Sequence, residues 1–389
     1  MSQRMRKGLS LLIAVFLFFT LSLPAEAAGG RFPDLSGQML SKGAPIPLVQ
    51  PEAPVAEAPA QTTVYVNTTQ YVYSAPVVKP SVPTYYKIGS RGYTSLQAAV
   101  SNVRNGETIV VKKNTTTSAT VQADRKVSFT IDFQNYAYNY TGKNYAFQIM
   151  NGNVAIKNAK ISGKVTQGSY YFFVKRGAGL RLLNGYFGGP CVNNFGSVTV
   201  SGGNYKFSRY VSFMNRYWGT LRVSGGNIQG QTKNFGKLFV SKGSLSCKGY
   251  EALVNYGTCT ITGGSLNGEV YNGAIRIHKK VVPGTMTIYG GSITASGEKA
   301  VALYNYWGNV TIEGGTFTSK GNGTIYNYKN CKMTISDGTF RSAKKYYTME
   351  NYGIMSVFKA SIGNGIIQNS GAITKLNSSV NTFLATSSS

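Results

Sequence analysis

The sequence predicts an all-β chain wound as a single-stranded parallel β-helix, and three observations carry that expectation. A phrase recurs between Leu180 and Gly365: Asn, an aromatic, Gly, one residue, apolar-x-apolar, one residue and a glycine pair. Asn194 to Gly203 and Asn255 to Gly264 are clear copies, and Asn305 to Gly315 repeats the phrase with an extra aromatic. The asparagines fall at 194, 215, 234 and 255 and again at 305, 327, 351 and 369, so the period is near 21 with a few residues of slack. A fixed period of this length marks a solenoid whose turns differ in loop length. Each unit also holds one period-two alternation, such as Val198-x-Val200, Leu221-x-Val223, Val310-x-Ile312 and Met333-x-Ile335. That pattern is a half-buried strand, which buries its apolar side only by stacking on its neighbours.

The elements follow in order. Residues 1–27 have a basic start (Arg4, Arg6, Lys7), an apolar run from Leu9 to Leu23 and the small-residue end Ala25-Glu-Ala27. This is the pattern of a secretory signal peptide. No second apolar stretch is long enough to span a bilayer, so no transmembrane segment is expected. Residues 28–84 are crowded with Pro45, Pro47, Pro51, Pro54, Pro59, Pro76, Pro80 and Pro83, the composition of an extended spacer. Tyr93 to Val100 reads as a short amphipathic helix with Thr94 or Ser95 as N-cap, placed to cover the open end of the solenoid. The solenoid itself is expected over 85–377. The Ser- and Asn-rich residues 378–389 read as a disordered tail.

Within each turn, the glycine pair supplies a bend where φ can be positive. The repeated asparagines, if they share one corner, can stack their amides along the axis. With neighbouring turns about 4.8 Å apart, ten to twelve turns give a rod on the order of 50 Å long. The Leu-x-x-Leu-x-Leu pattern of leucine-rich repeats is absent.

Gly-Tyr-Thr-Ser-Leu-Gln-Ala-Ala-Val at 92–100, then Asn-Gly-Glu-Thr-Ile-Val-Val at 105–111 and the loose Gly- and Asn-rich turns, resemble the pectate-lyase-like superfamily, in particular secreted bacterial β-helix repeat proteins. The resemblance covers about three-quarters of the chain and implies a right-handed parallel β-helix. It is specific for fold, because that superfamily spans lyases, hydrolases, epimerases, adhesins and non-enzymatic surface proteins.

The chain carries 40 Lys and Arg against 13 Asp and Glu; removing residues 1–27 leaves 37 against 12. Such a balance attracts polyanions. For an exported chain these are acidic polysaccharides, cell-wall polymers or host glycosaminoglycans. Nucleic acid is not expected, since no reading module is present and export argues against it. The basic residues look scattered, with short clusters such as Lys279-Lys280. Cys191, Cys247, Cys259 and Cys331 lack any CxxC spacing, which excludes a zinc signature. Cys259 takes a core position of its strand, so burial rather than a disulfide is expected for it.

Catalytic candidates are sparse. A lyase acting on acidic sugars needs a base and a cation to neutralise the carboxylate. His278 with Lys279 or Lys280, in an insertion between Asn272 and Asn305, is the best local set. Glu313 and Asp337, each just before a glycine of consecutive units, could stack and hold calcium weakly. Tyr217, Trp218, Tyr256, Tyr306, Trp307, Tyr328 and Tyr352 share the corner after the asparagine. They either offer flat faces to sugar rings or stack on one another as a structural ladder. The leading expectation is a secreted, non-catalytic, adhesin-like surface protein that binds anionic polysaccharide or cell-wall polymer. A polysaccharide lyase or related carbohydrate-active enzyme is the alternative. No cofactor is expected apart from the calcium option, and the oligomeric state stays open.

Overall fold

In the computed structural model, the described residues are 83–163, 169–277, 280–321, 323–343, 347–363, 366–375 and 383–385. The expected signal peptide, nearly all of the spacer and most of the expected tail lie outside them. Three parallel ladders run along the solenoid, each strand hydrogen-bonded to its equivalent in the next turn. The first ladder carries the repeat's alternation, from Thr108–Val111 through Ser197–Val200 and Thr258–Ile261 to Ala372–Lys375. The second includes Ala159–Gly163, Gly185–Gly188 and Thr316–Ser319. The third includes Phe172–Val174, Val192–Asn194 and Gly323–Asn327. The expected all-β parallel solenoid is what the chain forms.

The alternation decides which side faces in. Val198, Val200, Leu221, Val223, Leu238, Val240, Cys259 and Ile261 are all buried, and each stands in register above its equivalent. Aromatic residues fill the core where the second and third ladders meet it: Phe187 stacks on Tyr205 at 4.8 Å and Phe317 on Phe340 at 4.7 Å. Offset ring pairs at such separations add to the area they bury.

The bend between the first and second ladders uses glycine as expected. Gly203, Gly226, Gly243, Gly264, Gly291 and Gly315, the second residues of the bend, hold φ between +83° and +106°. Carbonyl oxygens of the turn before lie near 3 Å from where a Cβ would sit. Only glycine meets both demands cheaply. Where the corners are tight, consecutive strands run together as Asn204–Asn215, Thr220–Asn234 and Lys237–Asn255, with bulges taking up the extra residues.

The N-terminal end is closed by local structure. Tyr86–Ile88 pairs antiparallel with Arg91–Tyr93 and with Thr108–Val111, which ends the parallel stacking on that edge. The helix is Leu96–Asn102, capped by Ser95, whose hydroxyl accepts from the Ala98 N–H. Its Leu96, Ala99 and Val100 are buried against the first turn. Arg91 clamps Glu107 with two bonds of 2.6 and 2.7 Å. At the other end, inside the stretch expected as a tail, Phe383–Ala385 form a strand paired with Ile366–Gln368. No helix among the described residues is long and apolar enough to cross a membrane.

Candidate functional site

The corner between the third and first ladders is built by asparagine. Asn194, Asn215, Asn234, Asn255, Asn272, Asn305, Asn327 and Asn351 are buried, and each Nδ2 donates to the Oδ1 of the next at 2.6–3.0 Å, ending on Asn369. The same amides donate to backbone carbonyls of the following strand, such as Thr258 and Thr285. Glycines complete the corner because there is no room beside the amides: a Cβ on Gly219 would lie 2.3 Å from Asn215 Oδ1. The ladder is therefore structural, and whatever function the corner has lies in the side chains it turns outward.

Those outward residues divide in two. Tyr256, Tyr306, Tyr328 and Tyr352 are half-buried, and they stack with Phe235, Tyr271 and Tyr326 in a run of ring contacts at 4.1–6.3 Å. For these four the structural-ladder alternative describes what is seen. Tyr217, Trp218 and Trp307 instead stand out, with 54%, 47% and 44% of their surface exposed.

Corner length explains the exposure of Trp218. The turns through Lys175–Ala178 and Arg216–Gly219 have four-residue corners, whereas the turn between them has only Phe195 and Gly196. Two long corners thus flank a short one, leaving a notch with Phe195 as its floor. Arg176 lies 5.5 Å from the Trp218 ring across it, and Arg216 lies 5.7 Å from Phe195 while donating to Asn193 Oδ1 at 2.8 Å. On the adjoining first-ladder face, Arg222 covers Phe239 at 4.4 Å. Cation–π pairs of this kind hold guanidinium groups in place without neutralising them.

The surroundings are unusual in charge. Between Asp132 and Glu251 the chain has no acidic residue and 15 Lys and Arg. The basic residues are spread along the solenoid as expected, and what sets the turns with the notch apart is that they carry no counter-charge. The signal was present in the sequence and is visible once charge is counted by turn.

The acids reappear on the outer face of the third ladder. Glu251 and Glu269 are in register on adjacent turns; Gln231 donates to Glu251 at 2.9 Å, and the Val301 N–H donates to Glu269 at 3.1 Å. Burial, reinforced by Glu251, raises the Glu269 pKa despite the Val301 bond. Burial likewise raises Glu350, which accepts from Tyr352 at 3.2 Å, and it lowers Lys233. These are groups whose charged forms are penalised by desolvation. Sequence spacing did not single them out.

Other expected site residues are not brought together. His278 and Lys279 lie outside the described residues. Lys280 is exposed at the start of Lys280–Pro283, which pairs with Ala274–Ile277 in an antiparallel hairpin separate from the ladders. Glu313 and Asp337 do not stack, which corrects the expectation: Ile312 is in register with Ile335, so Glu313 is level with Ser336 and Asp337 one position further on. Asp337 instead lies 3.8 Å from Lys359 and accepts from the Gly338 N–H. No group of three or more His, Cys, Asp or Glu able to hold a metal occurs among the described residues. All four cysteines are buried and none is in a disulfide; Cys331 accepts from the Trp307 N–H at 2.9 Å. Comparison of the chain with known protein families, curated proteins and solved structures found no match.

Proposed function

We propose that this chain is an exported, pectate-lyase-like β-solenoid that binds an anionic polysaccharide or cell-wall polymer at the surface, without chemistry of its own. The observation that carries this is the run of turns with 15 cations and no acid, presenting exposed Tyr217 and Trp218 beside Arg176 and Arg216. A sugar ring has an apolar face that suits an aromatic side chain. A uronate or sulfate on the same sugar suits a guanidinium fork. A notch offering both, within a field that has no local counter-charge, attracts and orients such a polymer. The leader-like residues 1–27 are consistent with export.

The test is a titration of the purified protein with polygalacturonate and with heparin, followed by tryptophan fluorescence at several salt concentrations. Binding should weaken as salt rises, and Trp218→Ala should lower the affinity about tenfold through loss of the stacking surface. Salt-insensitive binding, or an unchanged affinity in the variant, would refute the assignment. New absorbance from unsaturated uronates during the same incubation would replace it with the lyase alternative.

A further inference from the structure

The outward column at the centre of the first ladder is mostly threonine. Thr260, Thr287, Thr311 and Thr334 follow one another in register, and Thr199 stands earlier in the column. Arg222 and Phe239 fill the two turns between Thr199 and Thr260, and Arg181 precedes Thr199. Arg181, Arg222 and Phe239 are the large side chains of this column, and the adjacent pair Arg222 and Phe239 makes relief on the sheet. Beside them lies a depression of about 300 Å³, lined by Arg222, Phe239, Ser224, Ser241, Thr260 and Thr262 among others. That volume is at the lower end for small-molecule sites and suits a single sugar ring rather than a larger ligand.

The chemistry of the lining is selective. The Arg222 guanidinium sits over one face of Phe239, and Phe239 and the short Thr260, in register on adjacent turns, both line the depression. Ser224, Ser241 and Thr262 donate to the Val200, Val223 and Val240 carbonyls at 3.3–3.5 Å, which leaves their oxygen lone pairs as acceptors. All of the lining but Thr260 and Thr262 belongs to the stretch of chain without acids, and among the described residues Arg222 forms no ion pair.

We propose that this depression is a subsite for one anionic pyranose of the polymer. The ring stacks on Phe239, its carboxylate or sulfate lies against Arg222, and its hydroxyls donate to the Ser and Thr oxygens. This rests on the glycan-binding reading and adds a second point of contact, on the sheet face rather than at the corner of Trp218.

Phe239→Thr and Arg222→Thr test it. Both restore the residue that the column carries elsewhere, so the fold should be kept, as circular dichroism would check. The full-length protein and its variants are titrated calorimetrically with galacturonate oligomers, with heparin oligosaccharides and with inorganic polyphosphate, which has charge but no ring. Phe239→Thr should weaken the sugar ligand about tenfold and leave polyphosphate unchanged, whereas Arg222→Thr should weaken both. A response with the galacturonate oligomers identifies the carboxylate as sufficient, and a response with heparin alone identifies the sulfate. If Phe239→Thr binds both sugars as the parent does, or loses polyphosphate equally, the subsite is refuted. If Trp218→Ala weakens a sugar and Phe239→Thr does not, the subsite falls while the glycan reading stands. If the parent protein binds neither sugar, both fall.

Discussion

Asn255→Ala should be among the most destabilising single changes in the chain, and the ladder sets the size of the effect. Asn255 is fully buried. Its Oδ1 accepts from Asn234 at 2.7 Å and from the Gly257 N–H at 3.3 Å; its Nδ2 donates to Asn272 at 2.7 Å and to the Gly257 and Thr285 carbonyls at 3.1 Å. Alanine removes the partner and leaves the Gly257 N–H and Asn272 Oδ1 behind. Orphaned buried groups cost about 1–3 kcal/mol each, so the total is about 3–5 kcal/mol. Amides in a chain also polarise one another, which adds to the loss at a central link. The control is Asn369→Ala at the end of the same ladder. Asn369 is only half-buried, accepts from Asn351 and donates to the Gly371 carbonyl, so water can replace it at a cost of about 1 kcal/mol or less. Urea unfolding followed by circular dichroism would compare the two. Because a solenoid can unfold in blocks, amide hydrogen exchange at Gly257 and its neighbours would localise the damage. Equal costs for the two variants would show that ladder position carries no energy and would refute the reasoning.

Three further outcomes are expected. Thr232 points into the core between Phe213 and Leu253, and its buried hydroxyl has no partner, so Thr232→Val should raise stability by about 1 kcal/mol, read as a higher melting temperature. Gly219→Ala should destabilise by about 2 kcal/mol or more, since its Cβ would meet Asn215 Oδ1 at 2.3 Å and the Asn194 carbonyl at 2.6 Å; a melting curve like that of the parent would contradict this. Burial raises the folded pKa of Glu350, so the folded state binds its proton more tightly than the unfolded chain. Its contribution is then complete below the ordinary glutamate range and is lost as pH rises through the raised value. Glu350→Gln should therefore unfold at higher urea than the parent at about pH 7 and match it at about pH 4; a pH-independent difference would argue against a buried carboxylate.

How much of this was legible depends on whether a feature repeats with the turn. The alternation and the glycine bend recur in nearly every unit, so the solenoid, its core face and the asparagine corner are legible in the sequence. Features carried by one or two turns are not, because their register depends on bulges that leave no mark in the sequence. Glu251 stands four residues before its ladder asparagine and Glu269 three, yet they lie side by side, since register shifts flank Glu251 on both sides. Glu313 and Asp337 show the reverse error. Both precede a glycine, but Asp337 stands where the other turns place the first glycine of the pair, one step beyond Glu313.

The same logic explains why the acid-free turns do not show in the overall charge. A whole-chain charge treats Arg176, Arg216 and Arg222 as unrelated positions many residues apart. In a solenoid, residues about one period apart become neighbours at about 4.8 Å, so charge and aromatic character act by column and by turn. Corner length then decides what is presented. The four-residue corner of Arg216–Gly219 pushes Trp218 outward, whereas the two-residue corners at Phe235 and Tyr256 press their rings into the stack. Shortening the Trp218 corner to the Asn-aromatic-Gly form of its neighbours should therefore keep the fold, since that form already serves adjacent turns, and abolish the notch. Loss of polyanion binding together with an unchanged melting temperature would separate the scaffold from the site it displays. Loss of both would show that the long corner is itself part of the packing.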